Sequence, residues 1–149
     1  MSGTGGADLV RLPPEELINL SPDVFTEPFW RAAAEHRLVV PRCTSCGTFR
    51  LPPSAFCFVC RAQDVEWVEQ PGHGTLYSFT VIRHPLMPDL ADSVPHVPAV
   101  VELPDTNGCR LVGPMTDCAV SDVRIGMEVD LVWRDVREGE TVPMFRPAR

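Results

Sequence analysis

Six cysteines stand at positions 43, 46, 57, 60, 109 and 118 of this 149-residue chain. Four of them are spaced for metal chemistry, as Cys43-x2-Cys46-x10-Cys57-x2-Cys60. Two residues between cysteines turn both sulfurs of a knuckle toward one point. Two knuckles then supply the four thiolates of a tetrahedral zinc site. A disulfide framework is the competing use of such residues. The segment from Met1 to Asp8 lacks the basic and apolar regions of a secretory signal. The expected compartment is therefore the cytoplasm, where thiols stay reduced and metal is favoured. Four protein ligands leave no position for water, so the expected zinc is structural and not catalytic. Its work would be to fold the stretch from Leu38 to Gln63, which has little aliphatic mass of its own. Cys109 and Cys118 lack pair spacing and read as buried structural thiols.

Gly47 follows the first knuckle, as a tight turn requires, whereas Arg61 occupies the matching place after the second. A less regular second knuckle is expected. Charge is uneven around this module: from His36 to Gln63 there are four arginines (Arg37, Arg42, Arg50, Arg61) and no carboxylate. Such a basic ribbon could hold ligand phosphates, or equally offset the double negative charge of a four-thiolate zinc centre. Catalytic constellations are weak. His36, His73, His84 and His96 form no metal-type pair, and no G-x-S-x-G, G-x-G-x-x-G or H-E-x-x-H occurs. All 13 basic residues are arginine, which excludes Schiff-base chemistry and a P-loop lysine from this chain. A net charge of −7 argues against bulk nucleic-acid binding. No window is apolar enough for a membrane helix.

These residues need elements to position them. The 16 prolines, about double the usual ~5%, favour short strands and turns over long helices. Residues 1–21 read as a flexible segment, Gly-rich and then acidic. Thr26 as cap, with Glu27 and Pro28 in the first turn, predicts a helix to about Arg37 that puts Phe29, Trp30, Ala33 and Ala34 on one face. That helix and the cysteines make a module over 22–66. From 67 to 149 the pattern turns to short strands: 74–82, 97–103, 109–112, the alternating 128–134, and one through Met144-Phe145. Five short strands predict a small antiparallel barrel, of which the OB-fold is a common solution. The fold class is mainly β: a helix, a rubredoxin-like zinc ribbon and a C-terminal five-stranded OB barrel.

The order of these pieces is specific. Phe29-Trp30 leads into Leu38-Val39-Val40-Pro41-Arg42-Cys43-Thr44-Ser45-Cys46-Gly47. Leu51-Pro52-Pro53, Cys57-x2-Cys60, Gly74-Thr75-Leu76-Tyr77-Ser78-Phe79-Thr80-Val81, Val97-Pro98-Ala99-Val100-Val101-Glu102-Leu103 and Arg124-Ile125-Gly126-Met127-Glu128-Val129 follow. The series, from about 22 to 147, resembles the family of zinc-ribbon OB-fold proteins associated with thiolases and acyl-CoA metabolism, long catalogued as a domain of unknown function. The resemblance implies a non-catalytic accessory subunit of a thiolase-fold protein, two copies of each, with acyl-CoA at the shared interface. The partner it suggests is a thiolase-like aldolase that shortens steroid side chains. Carried onto this chain, Cys43, Cys46, Cys57 and Cys60 match the Zn2+ ligands, and Phe29 and Trp30 match the aromatic helix. Those two, with Arg42 and Arg83, are the candidate contacts to partner or CoA. The absent glycine after Cys60 and the phenylalanines flanking Cys57 depart from the family's usual pattern, where proline is common.

Two other readings compete. An OB barrel also binds single-stranded nucleic acid by stacking bases on aromatic residues, here Trp67, Tyr77 and Phe79. An acyl-CoA enzyme in its own right would need a base such as His84 or Asp92.

Overall fold

The computed structural model describes residues 7–149, so the Gly-rich tip lies outside the described residues. Residues 7–18, expected to be mobile, lie pinned along the rest of the chain. Val10 N–H donates to the Cys118 carbonyl at 3.0 Å and Arg11 N–H to the Pro95 carbonyl at 2.7 Å. Arg134 and Arg137 then grip the carbonyls of Pro13 and Ile18 at 2.9 and 3.0 Å. Most of these acceptors are main-chain carbonyls, which carry no sequence signal, although Asp8 also pairs with Arg83 at 2.7 Å and Glu15 with Arg134 at 3.9 Å.

Among the described residues the one α-helix, α1 (Glu27–Ala34), is shorter than expected and is capped differently. Thr26 is itself helical and makes no cap. Asp23 serves instead, its Oδ1 accepting from the N–H groups of Phe25 and Thr26 at 2.9 and 2.8 Å. The helix stops because His36 turns left-handed, at φ 57°. Phe29, Ala32 and Ala33 are the buried residues of α1, while Trp30 is half-buried and Ala34 exposed.

Strands β1 (Val39–Cys43) and β2 (Val65–Glu69) pair antiparallel with Arg42 opposite Glu66. β2 therefore straddles the boundary at 66/67 that separates ribbon from barrel in the sequence. The second sheet has the order β5-β4-β3-β6-β7, all antiparallel: β3 (His73–Phe79), β4 (Pro98–Glu102), β5 (Arg110–Pro114), β6 (Glu128–Arg137) and β7 (Glu140–Pro147). The sheet nearly closes on itself where the end of β5 meets β7, through a bridge from Met115 to Phe145. Gly113 makes that approach possible, since a Cβ there would sit 2.8 Å from the Pro143 carbonyl oxygen. The result is the five-stranded OB barrel that the strand spacing predicted. Among the described residues, no helix is long and apolar enough to cross a membrane.

Leu76, Val97, Val101, Met115, Val129 and Phe145 fill the barrel with almost no exposure. Phe29, Leu38, Val40 and Phe49 join the same buried cluster. Helix, ribbon and barrel thus share one core. Cys109 and Cys118 are buried within it. Burial raises both thiols, Cys118 to about 11 with help from Asp122 and Asp117, which keeps them protonated and inert.

Candidate metal centre and the apolar pocket beside it

β1 ends on Cys43, which starts the first knuckle; the second rises from the loop between the strands. In both, the residue four places on donates its N–H to the first cysteine's carbonyl at 2.9 Å: Gly47 to Cys43 and Arg61 to Cys57. Both donors are left-handed, with φ 77° at Gly47 and 67° at Arg61. The second knuckle is therefore as regular as the first. Arg61 accepts a conformation that costs an L-residue roughly 1–2 kcal/mol, because the turn around the sulfurs demands it.

All four sulfurs lie within 4.8 Å of one another. Cys43 Sγ is 3.6 Å from Cys60 Sγ, and Cys46 Sγ is 3.5 Å from Cys57 Sγ. A tetrahedron of sulfurs at about 2.3 Å from a zinc ion has edges of about 3.8 Å, so the set fits the metal. Backbone donors favour thiolate at the first cysteine of each knuckle: the Cys60 N–H brings Cys57 down to about 6, and the Cys46 N–H lowers Cys43. Against the lowering pull of the Ala62 N–H, burial and the neighbouring sulfurs push Cys60 up to about 11. Thr48 Oγ1, 3.1 Å from Cys46 Sγ, is placed to donate to that sulfur once it is a thiolate. Zinc bound here supplies folding energy to the segment. Sequence spacing alone located this centre.

Two of the four arginines of the basic ribbon, Arg37 and Arg42, are paired with carboxylates. Arg42 binds Glu66 with Nε at 2.7 Å and lies over the Phe49 ring, and Arg37 meets Glu35 and Glu69 at 2.9 and 3.2 Å. Those carboxylates sit on β2 and at the end of α1, just outside the window from His36 to Gln63 on either side. Arg50 is buried and binds the carbonyls of Ala62 and Gln63. Arg83 pairs with Asp8 at 2.7 Å. Phe29 is buried in the core and also lines the cavity beside it.

Phe29 and Trp30, edge to face at 5.0 Å, form one wall of a cavity of about 530 Å3. Leu51–Pro53, residues 111–114 of β5, residues 142–144 of β7, and Pro13 and Ile18 of the strap supply the rest. The charged and imidazole groups at its rim are engaged elsewhere. Arg134 holds Pro13, Arg110 lies 3.7 Å over the Tyr77 ring beside Glu102, and His96 Nδ1–H donates to the Arg11 carbonyl at 2.9 Å. What the cavity offers is hydrocarbon contact. Its β5 and β7 walls escape sequence reading, since Val, Gly and Pro in strands carry no chemical label.

None of the residues of the competing readings lines this cavity. Trp67 and Phe79 are half-buried against the core, and Arg110 lies over one face of the Tyr77 ring, which is otherwise exposed. Among the described residues no hydrogen bond or ion pair links His84 to Asp89 or Asp92.

A zinc ribbon fused through a shared core to an OB barrel defines a class, and comparison with known proteins places the chain within it. Residues 30–66 match the model for the ChsH2 rubredoxin-like zinc ribbon domain and residues 67–134 that for the ChsH2 C-terminal OB-fold domain. The solved Ltp2-ChsH2(DUF35) aldolase contains a chain that is 38% identical, with a TM-score of 0.78 over 88% of this chain and 100% of that one. The probable enoyl-CoA hydratase alpha subunit of Thermomonospora curvata is 43% identical over 80% of this chain and 37% of its own length. The 3-oxo-4,17-pregnadiene-20-carboxyl-CoA hydratase alpha subunit of Mycobacterium tuberculosis is 31% identical over 83% and 38%. This chain belongs to the DUF35 family of zinc-ribbon OB-fold proteins. It spans little more than a third of the two hydratase subunits.

Proposed function

We propose that this chain is a non-catalytic accessory subunit that binds a thiolase-fold protein, two copies of each, and helps form its acyl-CoA site. The partner's reaction is retro-aldol C–C cleavage in lipid or steroid side-chain degradation. Zn2+ held by Cys43, Cys46, Cys57 and Cys60 is structural. The apolar cavity carries the reading: it can receive a hydrocarbon group, and its rim arginines and His96 are bound to the protein itself. Two relatives named for CoA-thioester hydratases, one of them a pregnadiene compound, and one structure titled as an aldolase complex support the substrate class. Trp30, half-buried in the cavity wall, is the contact proposed for the acyl group. Half-buried Arg42 and exposed Arg83, each paired with a carboxylate, remain proposed contacts to partner or CoA.

The test is to coexpress the chain with the thiolase-fold protein encoded beside it, size the complex and assay acyl-CoA cleavage. A complex with about one zinc per copy of this chain is expected, with Trp30→Ala raising KM about tenfold and leaving assembly intact. A partner that elutes alone and is fully active would refute the reading.

A further inference from the structure

The walls of the 530 Å3 cavity differ in what holds them. Phe29, Leu111 and Met144 are buried, Trp30 and Leu51 pack against the core, and Gly113 lies against Pro143 where the barrel closes. The strap supplies Pro13 and Ile18, yet no residue from Ala7 to Leu20 is buried and Ile18 has no place in the core cluster. A side chain exchanged there reshapes the cavity without cutting into the core.

The strap is nonetheless fixed in position. Pro13-Pro14 stiffens it, with Pro14 extended at φ −64° and ψ 148°. A single turn over Glu15–Leu17 then brings the chain round to Ile18, whose N–H donates to the Glu15 carbonyl at 3.0 Å. From β6, Arg134 donates to the Pro13 carbonyl at 2.9 Å, and Arg137 to the carbonyls of Glu15 and Ile18 at 3.2 and 3.0 Å. Residues three apart on a regular strand face opposite ways. A bulge between Asp135 and Arg137 corrects this and brings Arg137 to the side of Arg134. Two guanidinium groups therefore clamp the span 13–18 by its main chain, through charge-assisted bonds. Its side chains are left to meet whatever fills the cavity.

We propose that residues 13–18 are the specificity wall of the acyl site. Pro13 and Ile18 set how far a hydrocarbon group can extend, and Arg134 and Arg137 are the positioning residues that hold them there. This rests on the acyl-group reading of the cavity given above and names the residues that choose among acyl groups. A hydrocarbon gains about fourfold in affinity for each methylene it buries. Once it reaches a fixed wall, further carbons stay in water and gain nothing.

The test uses zinc-loaded full-length chain without partner, since this chain alone lines the cavity. A series of straight-chain alcohols of increasing length displaces the fluorescent hydrocarbon N-phenyl-1-naphthylamine. Wild-type affinity is expected to climb about fourfold per methylene and then to level off at a definite length. Ile18→Ala, which removes three carbons, should move that limit outward by about two to three carbons, and Ile18→Trp should move it inward. Arg137 does not line the cavity. Arg137→Met should still let alcohols beyond the wild-type limit gain about fourfold or more, whereas a merely structural role would lower Tm and leave the limit in place. Should Ile18→Trp fail to fold, Ile18→Ala and Arg137→Met decide. A limit unmoved in the Ile18 variants overturns the specificity wall while the acyl site stands. Wild-type chain from which no alcohol displaces the probe, or which binds no probe, overturns both.

Discussion

The two zinc knuckles bend the backbone alike and are supported by different means. The first grows out of strand β1, carries glycine at its left-handed position, and is followed by Phe49, which is buried in the common core. The second hangs from a loop, carries arginine at that position, and is tied back by the Arg50 guanidinium on the carbonyls of Ala62 and Gln63. Metal geometry dictates the hydrogen bond from the fourth residue to the first cysteine, and either sequence can supply it. What the sequences do not share is the surface they present, polar in one case and aromatic in the other. Equivalence in the turn and inequivalence at the tip separate the residues that hold zinc from residues free to do something else.

The largest expected effect breaks the comparison from the metal side. Cys43→Ser and Cys57→Ser should each reduce zinc from about one per chain to none. Each should abolish cooperative unfolding of the ribbon, because a structural zinc site contributes roughly 10 kcal/mol or more. Zinc analysis with thermal melts checks this, and a variant that keeps both metal and melt would show the knuckles to be unequal ligands.

A smaller, opposed pair probes the left-handed positions. Gly47→Ala should lower stability by about 1 kcal/mol, from backbone conformation alone, since a Cβ there meets nothing within 4 Å. Arg61→Gly should raise it by about 0.5–1 kcal/mol, relieving the same strain. Denaturant melts of zinc-loaded protein measure both. A loss on Arg61→Gly would mean that the guanidinium supports the knuckle and is not merely tolerated.

The smallest effect lies beside the second knuckle. The Thr26 N–H, first among its donors, holds the Asp23 carboxyl below its usual range. A group depressed in the folded state stabilises above its unfolded pKa, near 4, and loses that contribution as pH falls through the lower folded value. Wild-type Tm should therefore fall more steeply below about pH 4 than that of Asp23→Asn, which keeps an acceptor but does not titrate. Parallel slopes would remove the carboxylate from the account of that turn.

Cysteine spacing, hydrophobic alternation and turn residues were enough to read the zinc ribbon, the five barrel strands and the helix from the chain, because each is a local periodicity. Helix capping by Asp23 rather than Thr26 was missed, since both residues are good caps and only the turn between them decides. The pairing within the basic ribbon was missed for a different reason. Pairing of β1 with β2 sets Glu66 opposite Arg42, a contact 24 residues apart that no window of composition can see. Phe29 and Trp30 came to share a cavity wall for the same kind of reason, as did the β5 and β7 walls that meet at Gly113. By itself the sequence determined which residues could bind metal and which five segments could form the barrel strands, since ligand spacing and period-two alternation are written along the chain, whereas β1 and β2 were not read from it. Only the tertiary structure decided which charges stay unpaired, which aromatic residues face outward and where a cavity opens, because pairing, burial and enclosure belong to residues brought together from distant parts of the chain.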